Sequence, residues 1–246
     1  MKIALLGGTK GIGRAMARLA GEKGHDLCLL GRNVADLEAS AGDVEIRSDP
    51  RRTVHVVRCD LFLPETFAPA LDQAAEMLGG FDTVIVTAGL FGKQEELEAD
   101  RNKTHDLLTV NFAHTVLFCE EARVRLLAAG GGTLCVLSSV AGERGRKPVI
   151  LYGASKAGLS AYLEGLDHKF RAQGLKTICV KPGFVKTGMT AGLAPPPFAG
   201  EPQGVARDVL RAIERGRPVV YTPGIWRYVM LVIRSLPRFV MRRISF

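Results

Sequence analysis

Tyr152 and Lys156 are the residues whose types and spacing best suit acid–base chemistry in this sequence. They stand four positions apart in a segment of helical periodicity, so both side chains are expected on one face of a helix. An ammonium group near a phenol favours the phenolate and lowers the pKa of the phenol. Tyr152 is therefore predicted to donate a proton to a carbonyl oxygen, or to accept one in the reverse direction. Ser139, at the end of the apolar run GTLCVLSS, is predicted to hydrogen-bond the same oxygen and to stabilise its developing charge.

A glycine-rich turn near the N-terminus, GGTKGIG, forms a second group of candidate residues. It follows an apolar run and leads directly into a helical pattern. Glycines let the backbone approach a pyrophosphate, and a helix N-terminus supplies free N–H groups and a partial positive charge. The turn therefore predicts a dinucleotide site. The turn residues expected to contact the dinucleotide are Gly7, Thr9, Lys10, Gly11, Ile12 and Gly13.

The end of the second apolar run, LCLLGRN, indicates which dinucleotide would bind. NAD sites usually place a carboxylate there for the ribose 2′-hydroxyl, whereas this sequence has Gly31 and then Arg32. An arginine can hold a 2′-phosphate bidentately, and Lys10 would add a second positive charge. The pattern predicts NADP(H); the other interpretation makes Arg32 a solvated surface arginine.

After the third run, Asp60, with Leu61 beside it, either accepts a hydrogen bond from the adenine or caps the next helix.

Short apolar runs alternate along the chain with segments of helical period and must position these side chains. The runs are KIALLGG, DLCLLGR, TVHVVRCD, FDTVIVTAG, GTLCVLSS and LKTICVKPG. Runs that are apolar on both sides and separated by helices predict right-handed βαβ units. The expected fold is α/β, a Rossmann-type doubly wound parallel sheet with helices on both faces. Ligands then bind beyond the carboxyl ends of the strands, which is where the candidate residues fall.

Composition narrows the class of protein. The 246 residues, 47% of them hydrophobic, can bury one sizeable core. The net charge is +8, but the first two hundred residues contain no basic run with interleaved aromatic residues. This distribution argues against a nucleic-acid-binding protein. The five cysteines lack C-x-x-C spacing and are interpreted as buried thiols, and the five histidines lack ligand spacing, so no metal site is predicted. With no signal peptide, the expected location is cytoplasmic.

Six sequence elements in register resemble the short-chain dehydrogenase/reductase family from residue 2 to about residue 215. They are Gly7-x-x-x-Gly11-x-Gly13, Thr87-Ala88-Gly89, Asn111, Ser139, Tyr152-x-x-x-Lys156 and Pro182-Gly183-x-Val185-x-Thr187. The resemblance implies hydride transfer between NAD(P)H and a ketone, and a homo-oligomer. It favours Ser139 over Ser138, because a thirteen-residue step from serine to tyrosine is common in the family.

The resemblance also implies roles for the remaining motif residues. Lys156 would hold the nicotinamide ribose. Asn111 would keep a relay water next to that lysine; the alternative is that its amide bonds its own helix backbone. Cofactor contacts are further implied at Ala88, Gly89, Pro182, Gly183, Val185 and Thr187.

The end of the chain differs from the rest. Residues 219–246 are treated as a C-terminal tail after a dinucleotide-binding domain over residues 1–218, although one domain is also possible. From Trp226 onward the tail carries five arginines and no acidic residue, and Pro237 interrupts it. Its apolar part is too short to span a bilayer. The tail is expected either to lie among lipid headgroups or to pack on the body or a second subunit.

A loop near the catalytic candidates, VAGERGRKPVILYGASK, contains Arg144, Arg146 and Lys147. These cations could bind a phosphate on the substrate, or form a solvated turn. The loop, the segment KPGFVKTGMT and the tail resemble a narrower group, the decaprenylphosphoryl-2-keto-ribose reductases. That resemblance implies a lipid-linked 2-keto sugar as substrate, a flavin oxidase as partner and a peripheral position on the inner face of the membrane. Two alternatives stay open: a soluble ketone or 3-oxoacyl reductase, and a non-catalytic NADP-binding scaffold.

Overall fold

A computed structural model describes residues 1–48 and 53–244 of the chain. The strands are β1 (Lys2–Leu6), β2 (Asp26–Gly31), β3 (His55–Arg58), β4 (Thr83–Val86), β5 (Gly132–Leu137), β6 (Leu175–Pro182) and β7 (Val219–Thr222). The helices are α1 (Gly11–Glu22), α2 (Val34–Glu45), α3 (Phe67–Leu78), α4 (Gln94–Ala99), α5 (Arg101–Leu108), α6 (Thr115–Ala128), α7 (Ile150–Phe170), α8 (Pro202–Arg215), α9 (Trp226–Ser235) and α10 (Arg238–Met241).

The strands form one parallel sheet in the order β3-β2-β1-β4-β5-β6-β7. The predicted doubly wound α/β fold is confirmed. The strand order reverses between β1 and β4, which is the crevice where such sheets bind ligands. In the register Leu6 lies beside Leu30 on one side and Val86 on the other. The residues that follow β1, β2 and β4 therefore meet at one edge of the sheet.

Apolar layers cover both faces of the sheet. On one face α1 and α8 pack together through residues such as Met16, Ala20 and Val209, beneath the strand residues Ile3 and Leu29. On the other face the core includes residues of α3, α6 and α7, among them Phe67, Phe118 and Leu163. Each of the five cysteines is buried and unpaired, as predicted.

The strand β7 was missed from sequence because it contributes only VVYT between proline-bounded turns. It pairs with β6 through Val180 and Val220 and forms an edge of the sheet. The boundary predicted after residue 218 therefore falls between β6 and β7, although these two strands pair in one sheet.

The tail packs on the body through one face of α9. Trp226, Met230 and Ile233 are buried there with Val140, which follows β5. The Trp226 Nε1–H donates to the Phe198 carbonyl at 3.3 Å. A Cβ on Gly183 would collide with the Trp226 indole, so the tail covers the segment after β6. As the sequence predicts, the helix breaks before Pro237. Within the described residues we find no helix that is long and apolar enough to cross a bilayer.

The substitution Met230→Ala tests whether α9 is part of the folded body. Met230 is fully buried, so its truncation should lower the free energy of unfolding by about 2–5 kcal/mol in urea titrations. The control Leu231→Ala, on the exposed side of the same helix, should stay within about 0.5 kcal/mol of the parent protein. Equal small effects from both substitutions would contradict the packing of α9.

Candidate active site

Ser139, Tyr152 and Lys156 come together beyond the carboxyl end of β5. Ser139 follows that strand by two residues, and the other two lie near the start of α7. Tyr152 and Ser139 line the same cavity, the Ser139 side chain favours the phenolate of Tyr152, and Ser139 Oγ accepts from the Ala141 N–H at 3.1 Å. Lys156 Nζ lies 6.0 Å from the centroid of the Tyr152 ring. The arrangement presents a phenol and a hydroxyl side by side, as two hydrogen bonds to one substrate oxygen require.

Burial governs the protonation of Tyr152. Loss of hydration raises the pKa of its phenol, and the Ser139 side chain opposes that rise. The tyrosine–lysine spacing predicted a lowered pKa for Tyr152, and the structure gives a raised one. The reason is that desolvation of the phenolate outweighs its favourable interaction with Ser139. The phenol is consequently held in its protonated form, which is the form that donates a proton to a carbonyl oxygen.

Lys156 is a buried lysine at the base of the site. Its Nζ donates to the Leu137 carbonyl at 3.0 Å. Burial lowers its pKa to about 8, because the ammonium loses hydration. This lysine can therefore release or take up a proton close to neutral pH, unlike a solvated lysine.

Ser138 has a different role from its neighbour. Its hydroxyl donates to the Lys156 carbonyl at 2.9 Å and lies 2.7 Å from Ser160 Oγ. These bonds join the end of β5 to α7. Ser139, in contrast, lines the cavity with Tyr152.

Asn111 lies in a π-helical turn, Thr109–His114, between α5 and α6. Its Oδ1 accepts from the Leu90 N–H at 2.7 Å, and its Nδ2 donates to the Leu90 carbonyl at 2.8 Å. The amide therefore holds the loop after β4, and the interpretation that it bonds its own helix is wrong. A Cβ on Gly89 would lie 3.1 Å from Asn111 Oδ1 and 3.6 Å from Lys156 Nζ. Gly89, Asn111 and Lys156 thus meet at one point; the relay water stays a prediction.

The glycine turn provides a cradle for a pyrophosphate. Gly7 has a φ of 96° and Gly11 a φ of 52°, both in the left-handed region. A Cβ on Gly7 would lie 2.6 Å from the Ala88 nitrogen, and one on Gly13 would collide with the Gly7 carbonyl. Because α1 begins at Gly11, its free N–H groups face the turn. These residues fit an NAD(P) cofactor, and the start of α1 would hold its pyrophosphate.

Two adjoining cavities, of about 270 and 360 Å³, extend along the carboxyl edge of the sheet. Lys10, Thr87 and Gly89 line both of them. The first is lined also by Gly7, Thr9, Arg32, Asp60, Leu61 and Ala88. The second is lined also by Gly11, Ile12, Gly13, Ser139, Tyr152, Lys156, Pro182, Gly183, Val185 and Thr187. Each residue predicted to bind the cofactor therefore lines one cleft, which ends at the catalytic candidates.

The far end of this cleft holds the residues that would select the dinucleotide. Arg32 is exposed there, whereas Lys10 Nζ lies 3.6 Å from Asp36 Oδ2. The sequence did not indicate a role for Asp36 in the cleft. An acidic residue in the first turn of α2, just after the N-cap Asn33, is already accounted for by its favourable interaction with the helix N-terminus. Part of the positive charge expected from Lys10 is thus offset by this carboxylate.

Asp60 closes a turn after β3. Its Oδ1 accepts from the Phe62 N–H at 3.0 Å. Asp60 therefore bonds the backbone two residues further on instead of capping the next helix, which was one of the two roles expected for it. The neighbouring Leu61 carbonyl lies 2.6 Å from His114 Nδ1, a histidine for which the sequence indicated no role. The adenine contact of Asp60 stays a prediction.

Arg144 and Lys147, two cations of the loop, bind the tail. Arg144 Nη2 donates to the Leu236 carbonyl at 2.7 Å, and Lys147 Nζ donates to the Arg242 carbonyl at 2.7 Å. These carbonyls lie at the ends of α9 and α10, where helix dipoles favour cations. Burial lowers the pKa of Arg146, the third cation. The structure therefore gives Arg144 and Lys147 a contact that sequence reasoning did not anticipate.

Glu143, in the same loop, was also missed from sequence. Its side chain is only 4% exposed, and its Oε1 accepts from Lys181 Nζ at 2.6 Å and the Tyr221 hydroxyl at 2.7 Å. Its Oε2 lies 3.8 Å from Arg234 Nη1 of α9. The partners are far from Glu143 in the chain, so only the fold brings them together. This carboxylate joins the loop after Ser139 to β6, β7 and the tail.

Comparison with known proteins now identifies the family. Residues 2–196 match the sequence model described as short chain dehydrogenase. The chain belongs to the short-chain dehydrogenase family. Members of this family are oxidoreductases that bind NAD(P), and the predicted enzyme class is confirmed.

Individual relatives agree with this membership. An uncharacterized oxidoreductase of Mycobacterium tuberculosis is 30% identical over 241 residues, which cover 98% of this chain and 96% of the relative. Carbonyl reductase family member 4 of Xenopus laevis is 26% identical over 237 residues, covering 93% and 94%. The solved structure of a short-chain type dehydrogenase/reductase from Mycobacterium ulcerans superposes with a TM-score of 0.82 at 18% identity, covering 99% and 98%, and supports the fold alone.

The lowered pKa of Lys156 predicts a pH dependence of stability. The pKa is about 8 in the folded short-chain dehydrogenase and ~10.4 in an unfolded chain, so the unfolded state binds more protons between these values. Burial of the Lys156 ammonium destabilises the folded state fully below about pH 8, and this destabilisation disappears as the pH rises to about 10.5. Relative to Lys156→Met, the wild type should therefore gain on the order of 3 kcal/mol of unfolding free energy across this window.

Urea titrations of the cofactor-free proteins at several pH values measure this difference. Lys103→Met, at an exposed position of α5, is the matched control for loss of a lysine. A wild-type-minus-variant difference that does not change with pH would contradict the assigned burial of the ammonium.

Proposed function

We propose that this oxidoreductase reduces a ketone to a secondary alcohol with NADPH. The observation that carries the proposal is that Ser139, Tyr152 and Lys156 line one cavity together with the glycine turn. The name of the Xenopus laevis relative, a carbonyl reductase, is consistent with this reaction. A non-catalytic scaffold would have no need for a buried lysine beneath a protonated phenol.

The side chains of the chain account for the steps other than hydride delivery, which bound NADPH supplies. Ser139 donates a hydrogen bond to the ketone oxygen and stabilises its charge as it develops. Tyr152 gives its phenolic proton to the same oxygen. Lys156, with its pKa of about 8, can return a proton toward the phenolate after turnover. Ser139 and Lys156 are buried and Tyr152 is half-buried, so these three side chains are themselves shielded from water.

The preference for NADPH rests on Arg32. It is exposed in the cleft directly after β2, and no carboxylate occupies the end of that strand. A guanidinium can bind the 2′-phosphate through two hydrogen bonds, and NADH lacks that phosphate. Asp36 opposes this preference by pairing with Lys10.

For the substrate, the narrower proposal is a lipid-linked 2-keto sugar at a membrane surface. It is supported by the tail, which leaves apolar and basic side chains exposed on α9 and α10 while packing beside the site. A soluble ketone or 3-oxoacyl substrate is the alternative. The flavin oxidase partner and the homo-oligomer stay predictions.

Replacing Tyr152 by phenylalanine tests the reduction. Loss of the proton donor should lower kcat by about two to four orders of magnitude, measured as NADPH oxidation with soluble ketones and 3-oxoacyl thioesters. NADPH affinity, measured by fluorescence titration, should change little because the ring remains. Tyr228→Phe, at an exposed position of α9, is the control. Undiminished turnover by Tyr152→Phe would refute the assigned mechanism.

Replacing Arg32 by alanine tests the dinucleotide preference. NADPH affinity should fall about 10- to 100-fold while NADH affinity changes little, since charge-assisted hydrogen bonds to the 2′-phosphate are lost. Asp36→Asn should strengthen NADPH binding, because a carboxylate is removed from the same end of the cleft. Isothermal titration calorimetry with both dinucleotides measures these effects, and Arg101→Ala at an exposed position of α5 is the control. Equal losses for NADPH and NADH would exclude the role given to Arg32.

A further inference from the structure

A large basic groove lies on the side of the molecule formed by α8, β7 and α9. Its volume is about 1170 Å³, and β7 forms part of its floor. Five arginines and one aspartate line it: Arg211, Arg215, Arg217, Arg227, Arg234 and Asp208. The groove is distinct from the cofactor cleft, because the two share no lining residue.

The positive charge of this groove is only partly balanced. Asp208 lies 3.8 Å from Arg211 and also accepts from Thr222, and Glu143 lies 3.8 Å from Arg234. Within the described residues, Arg215, Arg217 and Arg227 form no side-chain ion pair. Residues 217–246 contain six arginines and no aspartate or glutamate, so no acidic side chain of this segment balances them.

Large apolar side chains stand exposed beside the groove. Tyr228 and Leu231 of α9 line the groove and are 65% and 64% exposed, and Val232 of the same helix is 63% exposed. The opposite face of α9 is buried through Trp226, so the helix cannot rotate to hide them. The surface thus combines unbalanced arginines with a row of apolar side chains that water solvates poorly.

We propose that the groove and the exposed side of α9, together the basic face, dock on the surface of an anionic phospholipid bilayer. Arginine binds lipid phosphates through paired hydrogen bonds, while the apolar row can enter the boundary between headgroups and acyl chains. A soluble polyanion would engage the arginines but leave the apolar row in water. A second copy of the same face is disfavoured, because a two-fold contact would bring like charges together.

Docking would act on the region around the active site through contacts already described. The same helix places Trp226 on Gly183, and the carbonyl that follows its end accepts from Arg144. The inference deepens the proposal of a lipid-linked ketone and does not depend on the reduction itself. Its test therefore measures binding rather than turnover.

Co-sedimentation of the full chain with vesicles tests the docking. Vesicles of phosphatidylcholine alone are compared with vesicles that also contain phosphatidylglycerol, at low and high salt. We expect binding to the anionic vesicles only, and weaker binding at high salt because exposed charges are screened. The paired substitutions Arg217→Glu with Arg227→Glu, and separately Leu231→Ser with Val232→Ser, should each weaken binding by more than about tenfold.

Controls match each change away from the basic face. Arg101→Glu with Lys103→Glu, on α5, reverses two charges, and Met77→Ser, on α3, removes an exposed apolar side chain. Both controls should bind the vesicles as the wild type does, and so should Tyr152→Phe, which separates docking from catalysis.

Several results would overturn the docking. These are absence of wild-type binding, equal binding to neutral vesicles, or equal losses in the controls. Vesicle binding that depends on the arginines but not on Leu231 and Val232 would overturn entry of the apolar row into the bilayer, because only electrostatic attraction would remain. A change of oligomeric state in the Leu231→Ser, Val232→Ser protein, measured by light scattering, without any vesicle binding by the wild type, would indicate self-association.

Discussion

The close approach of the glycine turn to the loop after β4 constrains everything at the carboxyl edge of the sheet. Gly7 lies so near the Ala88 nitrogen, and Gly13 so near the Gly7 carbonyl, that neither position accepts a side chain. The Thr87 hydroxyl donates to the Gly7 carbonyl at 3.0 Å and holds the two segments in this contact. With β1 and β4 adjacent, the turn lies beside the segment that carries Gly89, where an added Cβ would lie 3.1 Å from Asn111 Oδ1 and 3.6 Å from Lys156 Nζ. Backbone proximity thus sets the distance between the cofactor cradle and the catalytic side chains.

Burial then decides the chemistry of these side chains. Desolvation raises the pKa of Tyr152 and lowers that of Lys156, so it favours the uncharged form of both groups. A proton donor and a group that titrates near pH 8 consequently stand in one buried site. The hydrogen bonds of Asn111 to Leu90 and of Ser138 to the Lys156 carbonyl hold the surrounding loops without using the groups that face the cleft.

The tail contributes two surfaces of opposite character. Its inner face completes the body, since Trp226 covers Gly183, and the ends of its helices accept hydrogen bonds from Arg144 and Lys147. Glu143 adds a buried ionic contact with Lys181 next to the loop that carries Ser139. The outer face keeps apolar and basic side chains in solvent. Because both faces belong to one short helix, a ligand that binds the outer face contacts an element packed directly beside the active site.

The choice of Ser139 over Ser138 came from the family resemblance, whereas local pattern alone predicted the strand-and-helix alternation, the cradle glycines and the Tyr152–Lys156 pair. These depend on short-range periodicity and on backbone requirements that only glycine meets. The tertiary structure decided the remainder. The pKa of Tyr152 moved opposite to expectation because burial cannot be read from a four-residue spacing. Arg144, Lys147, Glu143 and Asp36 found partners through contacts between separate elements, and β7 became a strand by pairing with β6. Such long-range contacts leave no periodic signal in the sequence, because their partners are set by the three-dimensional arrangement of the elements.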